Sequence, residues 1–216
     1  MSISHYVLGI GDRHLSNVMF DTSSGTIVGI DFGHSLGSAT VTLPVPEFVP
    51  FRLTGQMTGF LHPHSANGLI RVAMVTAMSA LHDQRNIILR IMDVFVHEPL
   101  AEWESMAKRQ HTSGDTDAQI EPNWYPMQKI RTVQQKLDKA HPSMIMTEEA
   151  KRNPNFHSHT LAHMVNAIEG DAAVNVRATL GSNTTLTIEQ QVDCLIDIAT
   201  DPNILGHTWE GWEPWM

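Results

Sequence analysis

The sequence predicts a mainly helical α+β fold in which one small β-hairpin precedes a succession of helices. Three observations predict it: two short β-prone runs around a Ser/Gly turn, apolar residues at three-and-four spacing through the middle, and a capping signature before the last apolar helix. The chain has 216 residues, 42% hydrophobic and 17% charged. That composition allows one or two domains with a real core and excludes a disordered tail, a collagen or a disulfide miniprotein.

The elements follow in order. Between Asn17 and Gly33 the text reads NVMFD, TSSG, TIVGIDFG, the signature of a hairpin. Residues 34–64 are rich in Pro, Gly and single aromatics without a sustained period, which predicts an ordered loop, and long loops in compact domains are usually functional. From Ala66 to Val96 apolar residues recur at Leu69, Val72, Ala73, Thr76, Ala77 and Ala80, then at Ile87, Ile88, Ile91, Val94 and Phe95. This spacing predicts two helices broken near His82–Arg85, the second ended by Pro99. The polar stretch 108–122 reads as an exposed linker, Trp124–Ala140 as a helix stopped by Pro142, and 150–156 as loop. Thr187 with Gln190 forms a capping box that opens the helix IEQQVDCLIDIAT, which ends before Pro202. Trp209, Trp212 and Trp215 close the chain at intervals of three. Such a cluster suits a partner- or membrane-binding tip or packing against the body of the fold, and packing is the simpler use.

Lys plus Arg number 14 against 23 Asp plus Glu, a net charge of −9, so the chain does not present the basic face that nonspecific nucleic-acid binding requires. Its 13 His offset much of that deficit only as pH falls toward their ordinary pKa, roughly 6.5. Lys129, Arg131, Lys136 and Lys139 give one helix a basic side, read as a solvated face and not as a DNA site. The single Cys194 can form neither an internal disulfide nor a Cys-based zinc site, which fits a reducing compartment. His157, His159 and His163 have no Cys or carboxylate to complete a ligand set and read as surface histidines. Neither a signal peptide nor a membrane span is read: the best apolar stretch, 87–96, is interrupted by Arg90 and Asp93.

The chemistry concentrates around the hairpin. Gly11-Asp12-Arg13-His14-Leu15-Ser16-Asn17 precedes it and Asp31-Phe32-Gly33 follows its second strand. Phosphoryl transfer from ATP needs a carboxylate to accept or orient the substrate hydroxyl, an amide oxygen on one Mg2+, and a second carboxylate bridging metal and phosphates. Asp12, Asn17 and Asp31 supply all three, and the five-residue step from Asp12 to Asn17 is the Asp-to-Asn step of a protein-kinase catalytic loop. Each piece alone is weak. An isolated Asp-Arg-His is more often a capped turn with a surface ion pair, but the order of the pieces favours kinase chemistry.

Here the loop reads Asp-Arg-His, the reverse of the protein-kinase His-Arg-Asp. It resembles the phosphatidylinositol 3-kinase-related protein kinases, whose catalytic loop is GDRHxxN and whose metal-binding loop is IDFG. The blocks GIGDRHLSN, GIDFGHSLGSA, LPVPEFVPFRLT, MDVFVHEPL, NWYPMQKI and ATDPNILGHTWEGWEPWM carry that resemblance across nearly the whole chain, and residues 184–216 resemble the FATC domain that ends these kinases. The resemblance implies the C-terminal lobe of a PI3/PI4-kinase-like catalytic domain over 1–141, with catalytic loop 9–17 and activation segment 29–54. A linker or regulatory region over 142–183 and a helical FATC tail over 184–216 would follow.

By position, Asp12 would be the catalytic aspartate and His14 would sit against the transferring phosphoryl group. Asn17 and Asp31 would bind Mg2+. Met19 and Ile30 would floor the adenine pocket of ATP, although the pattern alone reads these two as ordinary core residues. The resemblance further implies a nuclear Ser/Thr protein kinase of DNA double-strand-break repair by non-homologous end joining. It would act on Ser-Gln sites of protein substrates, with contacts to DNA and to a DNA-end-binding heterodimer made by regions outside these 216 residues. No membrane partner is implied. The N-terminal lobe, with its phosphate-covering loop and phosphate-pairing Lys, has no counterpart ahead of the catalytic loop, so the chain by itself is expected to be inactive. Two alternatives stay open: a noncatalytic scaffold or interaction fragment, and a phosphoinositide lipid kinase, which the FATC-like tail disfavours.

Overall fold

The computed structural model describes residues 1–97, 124–153 and 185–213. The chain starts with α1 (Ser2–Leu8), a 3-10 turn over Leu15–Asn17 and the hairpin β1 (Val18–Phe20) and β2 (Ile27–Gly29). The strands are antiparallel, with Val18 opposite Gly29 and Phe20 opposite Ile27. Among the described residues seven helices follow: α2 (Ser38–Thr42), α3 (Gly55–Phe60), α4 (Leu69–Asp83), α5 (Arg85–His97), α6 (Trp124–Leu137), α7 (Pro142–Ala150) and α8 (Ile188–Thr200). The tail adds the short α9 (Pro202–Leu205) and a 3-10 turn over Glu210–Trp212. The fold is thus mostly helical with a single small hairpin among the described residues, as the sequence predicts. No described helix is long and apolar enough to cross a membrane.

The hairpin forms because Asp21 accepts from the backbone N–H of Ser23 (2.9 Å) and from the hydroxyls of Ser23 and Ser24, so an Asx-type turn reverses the chain before Thr26. α1 stops at Gly9, whose φ of 57° ends the helix in the left-handed region and whose N–H returns to Tyr6 O. A Cβ at Gly9 would also collide with the Leu36–Gly37 backbone, which passes close enough for Gly37 N–H to donate to Gly9 O at 2.9 Å. The end of α1 and the Leu36–Gly37 backbone are therefore fixed to each other. α8 opens with the predicted capping box: Thr187 Oγ1 accepts from Gln190 N–H and Gln190 Oε1 accepts from Thr187 N–H.

One core joins the N-terminal and C-terminal parts. Tyr6 and Val7 of α1, Phe48, Phe51 and Leu53 from the chain between α2 and α3, Met74 and Met78 of α4, and Leu195 and Ile198 of α8 belong to it. α8 lies against α4 and α7, and α6 lies against α5. Arg71 on α4 makes a bidentate pair with Asp193 on α8, at 2.5 and 2.8 Å.

Several expectations are corrected here. Residues 34–64 contain α2 and α3, which at five and six residues are too short to leave a period in the sequence. α4 and α5 break where predicted, but several of the apolar positions that announced them face outward. Leu69, Val72, Ile87, Ile91 and Val94 are exposed, while Met74, Met78 and Met92 are buried. Both faces of these helices carry apolar residues, so the period shows a helix without showing which side packs. Pro142 does not merely stop the preceding helix; it is the first residue of α7, with the His141 side chain accepting from Ser143 N–H as the N-cap. The basic side of α6 is solvated only in part: Arg131 is exposed, whereas Lys129 and Lys136 are 2% and 4% exposed. Lys136 Nζ lies 4.0 Å from Glu149 Oε1 and 5.1 Å over the Tyr6 ring, and burial pushes the Lys129 amine down to about 8. The 108–122 linker, Pro99, Trp215 and the histidines 157, 159 and 163 lie outside the described residues.

Candidate active site

The site is built on the loop between α1 and β1. Asp12 sits at φ 59°, a left-handed conformation that Asp tolerates better than most residues and that recurs at functional sites. Its amide donates to Glu47 Oε2 at 2.6 Å, and its carbonyl accepts from Asn17 Nδ2 at 2.8 Å. The same Asn17 nitrogen is 3.3 Å from Asp12 Oδ2 and 3.2 Å from His14 Nε2, and His14 Nε2 is 3.7 Å from Asp12 Oδ1. Asp12, His14 and Asn17, selected on sequence, thus converge on one point.

Asp31 is brought to them by Arg13. The guanidinium of Arg13, 2% exposed, donates to the carbonyls of Gly11 (2.8 Å), Ile30 (2.8 Å) and Asp31, and more weakly to that of Asn17 (3.4 Å). It also lies 5.7 Å from the Phe32 ring centroid. One buried side chain therefore ties the Gly11–Asn17 loop to the turn after β2, where Asp31 is likewise left-handed at φ 56° and accepts from Gly33 N–H at 3.0 Å. The reading of Asp-Arg-His as a turn with a surface ion pair is overturned, since this Arg is interior and spends itself on backbone carbonyls. Only geometry decides that, because sequence cannot tell a surface arginine from a buried one.

Met19 and Ile30 lie on the hairpin, 56% and 37% exposed, so the reading of them as core residues does not hold in this chain. Ile30 N–H donates to Asn17 O at 3.0 Å and so extends the pairing of the two strands toward the site.

Asn17 and Asp31 suit Mg2+ by their chemistry. The nitrogen end of the Asn17 amide is spent on Asp12, so the end left for a cation is an oxygen, and Asp31 adds a carboxylate. Two hard oxygen donors completed by phosphates and water make the usual magnesium arrangement. Among the described residues no group of three or more His, Cys, Asp and Glu is placed to hold a metal on its own.

Sequence reasoning missed Glu47. It lies between α2 and α3, where Thr40 Oγ1 donates to its carbonyl at 2.6 Å and Asn153 Nδ2 holds the Thr40 and Leu43 carbonyls at 2.9 and 3.2 Å. Burial is the main force pushing the Glu47 carboxyl up to about 8; the charge of Asp12 adds to it, while the Asp12 amide and Arg13 oppose it. The available signal was a lone acid in an apolar, Pro-rich run, LPVPEFVPF. A cavity of about 500 Å³ opens beside Asp12, walled by His14, Pro44, Val45 and Glu47 on one side and by Trp209 and Trp212 of the tail on the other.

A left-handed aspartate, a histidine and an asparagine on one loop, tied by an arginine to an Asp-Phe-Gly turn and backed by a C-terminal helical tail, describe a kinase-type phosphotransfer lobe. Residues 1–105 match the family "Phosphatidylinositol 3- and 4-kinase" and residues 185–216 match the FATC domain. Over its full length the chain is 45% identical to the DNA-dependent protein kinase catalytic subunit of Gallus gallus and 45% identical to that of Canis lupus familiaris. It spans 5% of the length of each of those relatives. The solved FAT and kinase domain of CtTel1 superposes with a TM-score of 0.58 at 26% identity, covering all of this chain and 11% of that one. The chain belongs to the phosphatidylinositol 3-kinase-related protein kinases, with a PI3/PI4-kinase-like lobe and a FATC tail. Along its whole length it is similar to the C-terminal region of the DNA-dependent protein kinase catalytic subunit.

Proposed function

We propose that these residues are the catalytic-loop and tail portion of a nuclear Ser/Thr protein kinase of DNA double-strand-break repair, transferring the ATP γ-phosphate to Ser-Gln sites of proteins. The observation that carries the proposal is the convergence of Asp12, His14 and Asn17 within hydrogen-bonding reach of one another, on a loop that Arg13 ties to Asp31. In this reading Asp12 orients the substrate hydroxyl and draws off its proton, and His14 faces the phosphoryl group in transfer. Asn17 and Asp31 would hold Mg2+, which neutralises phosphate charge when bound. Met19 and Ile30 would lie under the adenine. The boundaries 1–141, 142–183 and 184–216 divide lobe, linker and FATC tail. Similarity to the DNA-dependent protein kinase catalytic subunit supports the substrate class and the compartment, and contacts with DNA and with an end-binding heterodimer are assigned to segments beyond these 216 residues.

The test is Mg·ATP-dependent phosphorylation of a Ser-Gln peptide by a full-length kinase carrying this chain as its C-terminal segment. Asp12→Asn and Asp31→Asn should each lower kcat by at least roughly a hundredfold. The 216 residues by themselves should transfer nothing, because they contain no strand Lys for the nucleotide phosphates ahead of Asp12. Full activity of Asp31→Asn would leave the scaffold reading, and transfer to phosphoinositide but not to peptide would leave the lipid-kinase one.

A further inference from the structure

The tail reaches the catalytic loop through one ring. Trp209 approaches His14 edge to face, with ring centroids 5.7 Å apart and planes at 71°, although the Trp209 side chain is still 48% exposed. A half-exposed indole is not placed there by burial alone, and two neighbours account for its pose. Trp212, 2% exposed, anchors the tail: Arg52 Nη2 donates to its carbonyl at 2.8 Å, and the guanidinium lies 5.1 Å from its ring centroid. Gly211 supplies clearance, because the Trp209 ring folds back over it and a Cβ at that position would overlap the indole. An anchor, a gap and a ring aimed at a histidine form one device, built from consecutive residues of the tail against the activation segment.

We infer that Trp209 is a positioning residue for His14, so that the FATC tail sets the orientation of the catalytic-loop imidazole and walls the cavity beside Asp12. The inference rests on the role proposed above for His14. An imidazole contacted on one side by Asn17 Nδ2 at 3.2 Å and on the other by an indole has few rotamers left, and displacement of a reacting group by about 1 Å can cost roughly a hundredfold in rate.

The experiment uses a full-length kinase carrying this chain as its C-terminal segment, with Mg·ATP and a Ser-Gln peptide. Trp209→Ala should lower kcat roughly ten- to a hundredfold with little change in KM for ATP. Trp209→Phe, which keeps an aromatic edge, should recover most of the rate. Gly211→Ala removes no ring and yet should reproduce the loss, and the double variant should be no worse than either single one. Wild-type kcat in Trp209→Ala overturns the inference. So does a loss that Trp209→Phe does not recover, or one that raises KM for ATP as much as it lowers kcat, since damage to the fold alone would behave that way. Asp12→Asn separates the two levels: if it retains transfer, the catalytic reading fails and the inference with it, whereas if it abolishes transfer while Trp209→Ala is silent, only the inference fails.

Discussion

Glu47 shows how one buried carboxyl group links the site to the stability of the chain. It holds the Asp12 amide from inside the protein, and burial raises its pKa from the ordinary 4.5 to about 8. A carboxyl group raised in this way binds its proton more tightly folded than unfolded. Its stabilising contribution is whole below pH 4.5, and it is lost as pH rises from there through about 8. Glu47→Gln removes the titration and keeps an oxygen acceptor for the amide. In urea unfolding, Glu47→Gln should gain on the wild-type chain between pH 5 and pH 9, by at most about 5 kcal/mol. A constant difference across that range would mean that Glu47 is ionised in the fold. Of the residues around this point, Asp12, Asn17 and Asp31 were legible because spacing along the chain reports them, and His14 through the family resemblance of the loop. Arg13 and Glu47 were not, because their importance comes from being interior, and burial depends on the rest of the molecule.

The carbonyl end of α6 is satisfied by a side chain from a distant element. Gln191, fully buried on α8, donates from Nε2 to Lys136 O at 2.8 Å and Ala140 O at 3.2 Å, closing the carbonyl end of α6. Leu186 N–H donates to Lys139 O at the same corner, where Lys139 turns left-handed at φ 63°. Gln191→Leu fills similar volume but strands Ala140 O and leaves Lys136 O with only the long 3.4 Å bond from Lys139 N–H, so it should cost about 1–3 kcal/mol, with the amides of Lys136–Ala140 exchanging fastest relative to wild type. Equal exchange there would assign the capping to something else. The capping box of α8 was readable because its two partners are three residues apart. The cap of α6 was not, since its donor comes from another helix. Pro142 was ambiguous for a related reason: a proline is compatible with the end of one helix and with the first turn of the next, and only the His141 cap shows that α7 begins there.

At the scale of the molecule, the tail is not an appendage. Val192, Leu195, Ile196, Ile198 and Ala199 of α8 sit in the same core as α1, α4 and Phe48, Phe51 and Leu53, so the FATC part and the lobe should unfold together. Leu195→Ala should cost about 2–5 kcal/mol and speed hydrogen exchange in α4 and α6 as much as in α8; loosening confined to α8 would show two independent units. The sequence by itself determined the hairpin, the run of helices, the capping box and the order of Asp12, His14, Asn17 and Asp31. Each of these is written in residues a few positions apart, where backbone geometry and spacing act directly. The tertiary structure alone decided which faces of α4 and α5 are covered, that Lys129 and Lys136 are interior, and that Glu47 backs Asp12 while Trp209 meets His14. Those outcomes join residues from opposite parts of the chain, and they follow from how apolar area is shared among helices when a common core closes.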